Sequence, residues 1–316
     1  MNRYLLSLLC ATALAACSPQ STPPADTDAN EQAASQTVTI DTARGPATVA
    51  KNPERVAVFD WAALDTLNQM GVKVGATTEK VLVDYLTPVF QDTLRVGTLF
   101  EPDYETLHDY KPELIITGGP GATEYEQLAE LAPTIDLTID NHRIRESALE
   151  RIDALATIFD KQDVATRLKT EINASFDQTR AAAKGKGTAM VVSITGHKVY
   201  AFGPESRMGS WIHKDLGMPI ADAHIDEKSG HGMLVSFEYI RQQNPDWIFV
   251  LDRTAAIGEE GPPAKNVLDN PIVAKTSAWT KNQVIVMPSA NYIVAGGVQQ
   301  LLQASKQLKD AFDAAK

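Results

Sequence analysis

Cysteine is nearly absent. Of 316 residues only Cys10 and Cys17 carry a thiol, and both lie at the extreme N-terminus. A domain built from the rest has no internal disulfide, no thiolate metal site and no C-x-x-C redox pair. Basic charge is also short: 29 Lys and Arg face 40 Asp and Glu, for a formal net charge of -11. That balance argues against nucleic acid or an anionic membrane surface as partner, so any cationic site must be local. Catalytic signatures are missing too, with no G-x-S-x-G elbow and no H-E-x-x-H pair. Gly118-Gly119-Pro120-Gly121 lacks the Lys-Ser/Thr of a phosphate loop and fails the dinucleotide spacing, so it reads as a tight turn at a strand's carboxyl end. None of the six histidines has an i, i+4 partner, which disfavours a zinc site. No enzyme is expected, and no intrinsic cofactor.

What is present begins with a leader. Met1-Asn2-Arg3 supplies a positive start, residues 4–14 form an apolar run too short to span a bilayer, and Leu14-Ala15-Ala16-Cys17 follows. This resembles the lipobox of bacterial lipoproteins, which implies a signal peptide over 1–16 and a lipid on Cys17. Loss of Arg3 would take the net charge from -11 to about -12. Residues 17–35, rich in Pro, Ser, Thr, Ala, Gln and Asp, read as a flexible tether. No later run approaches membrane-spanning length, so the protein is expected to be anchored rather than spanning, in the periplasm or on the extracytoplasmic face. ATP, NAD and a reducing compartment are disfavoured there.

An internal repeat organises the remainder. Tyr104-Glu105-Thr106-Leu107 leads to Pro112-Glu113-Leu114-Ile115-Ile116, and Phe237-Glu238-Tyr239-Ile240 leads to Pro245-Asp246-Trp247-Ile248-Phe249. Each copy reads as a short amphipathic helix ended near Pro, followed by a buried parallel strand. Further strands are expected over 55–59, 72–76, 189–194 and 283–287, and helices over 62–70, 125–131 and 298–314. The fold class is therefore α/β, with two Rossmann-like lobes, over 36–142 and 185–316. Between them, residues 143–184 carry an apolar stripe at spacings of three and four, the mark of one long linking helix with a break near Lys161-Gln162-Asp163. Gly185 and Gly187 end it.

Four second-lobe turns hold the candidate binding residues: Arg207, His231, Arg253 and Tyr292. If all four follow parallel strands, their strand ends share one side and the turns converge on a crevice. Trp61, after the first strand of the first lobe, is a candidate wall for planar groups. Phe202 to Arg207, His231-Gly232 with Ser236-Phe237-Glu238, Asn244-Pro245-Asp246 with Asp252-Arg253, Val267-Leu268-Asp269-Asn270, and Tyr292 before Gly296-Gly297 carry a resemblance over nearly the whole mature chain. At these residues the chain resembles the catecholate-siderophore-binding lipoproteins of bacterial iron ABC importers, the group serving enterochelin, petrobactin and anguibactin uptake.

That resemblance implies a class III periplasmic binding protein, two lobes joined by a helix with ligand held between them. It implies a ferric siderophore and an ABC permease as partners, with Fe(III) arriving only inside the siderophore complex. It matches Arg207 and Arg253 to arginines that pair with anionic catecholates. It matches His231 and Tyr292 to a pair that ligates iron when a tetradentate siderophore leaves two positions open. Glu105 and Glu238 match carboxylates that dock onto permease arginines. The chain departs from the group just beyond residue 117, where an arginine is expected and Gly118-Gly119 stands; the loss implies a less anionic ligand, or replacement by Lys80, Arg143 or Arg145. A monomer is expected. The rival readings are a carrier of haem or cobalamin and, from another class, an extracytoplasmic hydrolase.

Overall fold

The two copies of the repeat fold alike, and for the same local reasons. The computed structural model describes residues 36–79, 82–225 and 232–315. The leader, Cys17, the tether, Lys80 and His231 lie outside the described residues. In the first copy, Asp103 caps the helix Tyr104–Tyr110 by accepting from Thr106 N, and Lys111 ends it in the left-handed region at φ 52°. In the second, Ser236 caps Phe237–Gln243 through Tyr239 N, and Asn244 ends it at φ 46°. Proline then forbids continuation and the chain enters a buried strand.

The acid after each proline sews that strand to its neighbour. Glu113 accepts from the backbone N–H groups of Glu54 and Arg55 at 2.6 and 3.2 Å. Asp246 accepts from Thr188 N at 3.0 Å. Burial raises the Asp246 carboxyl, but the Thr188 N–H and the Lys281 ammonium outweigh it and hold the group below the usual carboxylate range. Asp246→Ala should therefore cost roughly 1–2 kcal/mol, because it leaves the part-buried Thr188 N–H unpaired where the neighbouring strand begins. Urea unfolding would register the change in midpoint.

Each repeat ends in an interior strand, next to the central one, of a five-stranded sheet. A hairpin of β1 (Thr37–Thr42) and β2 (Gly45–Ala50) precedes them. The first sheet contains β3 (Val56–Phe59), β4 (Ala76–Thr77), β5 (Leu94–Arg95), β6 (Leu114–Thr117) and β7 (Thr134–Asp136). All are parallel, in the order β5-β4-β3-β6-β7. The second contains β8 (Ala189–Thr195), β9 (Lys198–Phe202), β10 (Met233–Val235), β11 (Trp247–Asp252) and β12 (Val284–Met287), in the order β10-β9-β8-β11-β12. β8, β11 and β12 run parallel. β3, β6 and β11 are almost wholly buried, as near-continuous apolar runs in parallel sheets must be.

Three expectations need correction. The strand placed at 72–76 shrinks to Ala76–Thr77. Gly75 lies where any Cβ would fall 2.0 Å from the Tyr110 hydroxyl, so the approach to the sheet is shaped by that ring. The linking segment 143–184 is two helices rather than one, Ile144–Phe159 and Gln162–Ala183, with the expected break falling at Asp160 and Lys161, where Asp160 turns left-handed at φ 53°. Lastly, β9 runs antiparallel to β8, pairing Phe202 with Val191 and Lys198 with Thr195. Phe202 therefore leaves the sheet at the edge opposite the carboxyl ends of β8, β11 and β12, and shared strand polarity does not bring Arg207 to the crevice.

Helices bind the two sheets together. The longer linking helix packs along the C-terminal helix Val298–Ala314, where Phe176, Leu308 and Phe312 are buried. The Phe312 ring meets Trp247 edge-on, with centroids 4.8 Å apart. The first-lobe helix Trp61–Gln69 packs on the same C-terminal helix.

Candidate functional site

A cavity of about 770 Å3 opens between the two sheets. The first lobe contributes the segments just beyond β3, β4, β6 and β7, including Trp61, Thr78, Gly118–Pro120 and Thr138. The second contributes Arg207, Arg253 and Tyr292. Parallel strand ends supply nearly all of it, as a doubly wound sheet dictates.

Asp60 builds the first-lobe wall. Its Oδ1 caps the helix Trp61–Gln69, accepting from Ala62 N at 2.8 Å and Ala63 N at 3.3 Å. That fixes Trp61 at the first helical position, where its indole Nε1 donates to Thr78 Oγ1 at 2.8 Å. Gly118 packs against Asp60 so closely that a Cβ there would sit 2.3 Å from Oδ2. A side chain just beyond β6 would collide with the cap, which is a physical reason for glycine at that position.

A buried cation stands behind that turn. Arg151, on the helix Ile144–Phe159, is 5 % exposed. Its Nε and Nη2 donate to Leu137 O at 3.2 and 2.8 Å, and Nη2 lies 3.3 Å from Asp60 Oδ2. Sequence reasoning missed it, since an arginine inside a helical stripe reads as a solvated face. Of the candidates named for this role, the two among the described residues turn elsewhere. Arg143 holds Glu150 in a fork at 2.9 and 2.8 Å and lies 3.3 Å from Asp140. Arg145 pairs with Asp215 at 3.2 Å.

On the second-lobe side the geometry is tight. Arg253 directly follows β11, yet it does not fold back on Asp252, whose carboxylate caps the next turn through Ala255 N and also accepts from Ala264 N. Instead Arg253 Nε donates to Tyr292 Oη at 3.0 Å. The Arg207 guanidinium stacks over the same ring at 4.6 Å from its centroid. Although β9 runs the wrong way, the turn beyond Phe202 still delivers Arg207 here. Ser206 Oγ donates to Gly203 O, and Ser210 Oγ donates across to Asn141 O of the first lobe. Burial pulls the Arg207 guanidinium below the usual arginine range, opposed by Tyr292 and reinforced by the like charge of Arg253. Two half-buried cations on one phenol, with no carboxylate of the described residues between them, form a receptor for an anion.

The remaining candidates are simpler. Glu105 and Glu238 are both exposed in the first turns of their helices, where a carboxylate also favours the helix dipole. His224 sits beside Asp222 with its ring almost fully in solvent. Among the described residues no cluster of His, Cys, Asp or Glu could hold a metal by itself. A second cavity, of about 820 Å3, lies between the β1–β2 turn and the helix Ile144–Phe159. It is lined only by first-lobe and linker residues, with the Arg143–Glu150 pair at its edge, and offers no converging free cations.

Comparison with known proteins gives a consistent picture. A family model described as periplasmic binding protein matches residues 56–290. The petrobactin-binding protein YclQ of Bacillus subtilis is 34% identical over 313 residues, covering 98% of this chain and 97% of its own. Its crystal structure superposes with a TM-score of 0.83 over 88% of this chain and 99% of that one. The ferric-anguibactin-binding protein FatB of Vibrio anguillarum is 32% identical over 271 residues, or 81% of this chain and 82% of FatB. The catecholate-siderophore-binding protein VctP of Vibrio cholerae is 29% identical, with a TM-score of 0.81 over 87% of this chain and all of its own (100%).

Proposed function

The chain belongs to the periplasmic binding protein family, and from that premise we propose that it captures a ferric siderophore between its lobes and delivers it to an ABC permease. It is a substrate-binding protein of the class III architecture rather than an enzyme. One observation carries the ligand class: Arg207 and Arg253 converge on Tyr292 inside the interlobe cavity. Guanidiniums that meet no carboxylate among the described residues suit the anionic oxygens of an iron chelate, and a phenol is a hard donor for Fe(III).

The finer reading is a catecholate siderophore, with its chelate oxygens toward the two arginines and its rings toward Trp61. Tyr292, with His231, completes the iron's coordination when the siderophore is tetradentate. Glu105 and Glu238, at matching helix positions on the two lobes, are the carboxylates that dock onto the permease. Cys17 carries the lipid that holds a monomeric protein at the membrane surface.

The decisive experiment titrates the mature protein with a ferric bis-catecholate and follows tryptophan fluorescence and the visible charge-transfer band. Saturable quenching is expected, with Trp61 as the reporter inside the cavity. A band that shifts on binding to the wild type and fails to shift with Tyr292→Phe, at affinity about tenfold lower, supports direct ligation. An unchanged shift in Tyr292→Phe removes tyrosine from the iron. Saturable binding of haem or cobalamin in place of every ferric chelate would overturn the proposal.

A further inference from the structure

The two walls of the cleft differ in chemistry. The second-lobe wall carries Arg207 and Arg253. Among the described residues the first-lobe wall offers no exposed guanidinium: Arg151 is buried, with Nε and Nη2 held by Leu137 O and Asp60 and only the buried Nη1 left without a partner. What that wall does present is aromatic and aliphatic: Trp61, Leu82, Leu99, Phe100 and Pro120.

Phe100 is the unusual member. It is 63 % exposed, more than any other large apolar residue described as exposed. Its exposure is not a consequence of a loose loop. Thr98 Oγ1 accepts from Phe100 N and Glu101 N at 3.2 and 3.0 Å, and Thr98 N donates to Glu101 O at 2.9 Å. Gly97, at φ 83°, packs so tightly beneath the turn that a Cβ would lie 2.4 Å from Glu101 O. Glu79 N closes the base by donating to Gly97 O at 2.7 Å. A turn held this way keeps a phenyl ring in water at the cavity wall, an arrangement that gains free energy only when something apolar covers the ring. Trp61, fixed by its bond to Thr78, supplies a second aromatic surface in the same cavity.

We infer that Phe100 is a specificity-determining residue that covers an aryl group of the bound chelate, so that the first lobe selects by aromatic contact and the second by charge. This rests on the siderophore reading and narrows its ligand class. The preferred cargo is an iron complex with an outward-facing aromatic chelating group and a modest negative charge, rather than an aliphatic chelate or a tris-catecholate trianion. One face of such a ligand needs anion partners and the other needs a planar apolar surface.

Calorimetric titration of the mature protein and of Phe100→Ala and Phe100→Leu tests this, with a ferric bis-catecholate, a ferric tris-catecholate and ferric citrate as probes. The expected result is that wild type prefers the bis-catecholate. Phe100→Ala should lose about tenfold in affinity for it, the scale of one aromatic contact, with little change for citrate. Phe100→Leu, which keeps bulk without the ring, should recover only part of that loss. Because the ring is exposed, melting temperatures should match and folding does not confound the comparison. Equal binding of the bis-catecholate by wild type and Phe100→Ala overturns this inference alone, as does full recovery in Phe100→Leu or a wild-type preference for the tris-catecholate. Failure of wild type to bind any ferric chelate overturns the siderophore reading, and this inference with it.

Discussion

Replacing Arg207 and Arg253 together by alanine is expected to weaken binding of a ferric bis-catecholate by about a hundredfold or more, while the melting temperature stays level or rises slightly. A hydrogen bond to a charged group contributes about 1.5–3 kcal/mol net, so each arginine is worth roughly ten- to a hundredfold. Stability should move the other way for an electrostatic reason. The two guanidiniums share one phenol, and burial together with mutual repulsion works against the charge on Arg207. Removing one relieves that repulsion, so the single variants should bind more weakly without unfolding more easily. Lysine at either position should recover only part of the affinity, because a point charge cannot fork across two chelate oxygens. Calorimetric titration beside thermal melts reads both quantities. Arginines that were merely structural would lose stability and affinity together.

How much of this site the sequence discloses depends on how local its causes are. The repeat is legible because each copy carries its own helix cap, left-handed stop, proline and sewing acid within a short stretch. β6 and the C-terminal helix run over the residues that their apolar patterns mark. Arg253 and Tyr292 follow the parallel strands β11 and β12, so strand polarity alone aims them at the crevice. Arg207 reaches the same place for a reason no local pattern reveals, since β9 reverses direction and the following turn leans on Asn141 of the first lobe. Arg151 is invisible for a related reason. A buried arginine is distinguished from a solvated one only by its partners, Asp60 and Leu137, which lie far away in sequence. His231, the other half of the proposed iron pair, lies outside the described residues.

Asp65 produces the largest expected effect on stability, and its sign runs against the usual behaviour of a carboxylate. Its side chain is fully buried on the first-lobe helix Trp61–Gln69. From there it reaches the other lobe, accepting from Gln299 N at 3.0 Å and Gln300 N at 3.1 Å at the start of the C-terminal helix. Tyr85 Oη donates to it at 3.1 Å. Gly297 must be glycine here, because a Cβ would sit 2.3 Å from the Asp65 carboxylate. Gln300 in turn donates to Asn291, the neighbour of Tyr292, so the clamp touches the element that carries the site's phenol. Burial drives the Asp65 pKa up to about 6 from its ordinary 3.8, against the pull of the two helix N–H groups, the Tyr85 hydroxyl and the charge of Arg151. A carboxyl raised in this way is held more tightly by its proton in the folded state than in the unfolded one. Its contribution to stability is therefore fully present below about pH 4 and lost as the pH climbs through 6. Wild type should gain stability as the pH falls from 7.5 towards 5, by roughly 1–1.5 kcal/mol if Asp65 dominates that window. Asp65→Asn keeps an acceptor for the helix and removes the titration, so its stability curve should be flat across the same range. Asp65→Ala strips both N–H groups of their partner and should lose roughly 2–3 kcal/mol relative to the asparagine variant. Chemical denaturation at a series of pH values separates the three proteins, and a wild-type curve as flat as that of Asp65→Asn would mean that this carboxyl does not titrate between pH 4 and 7.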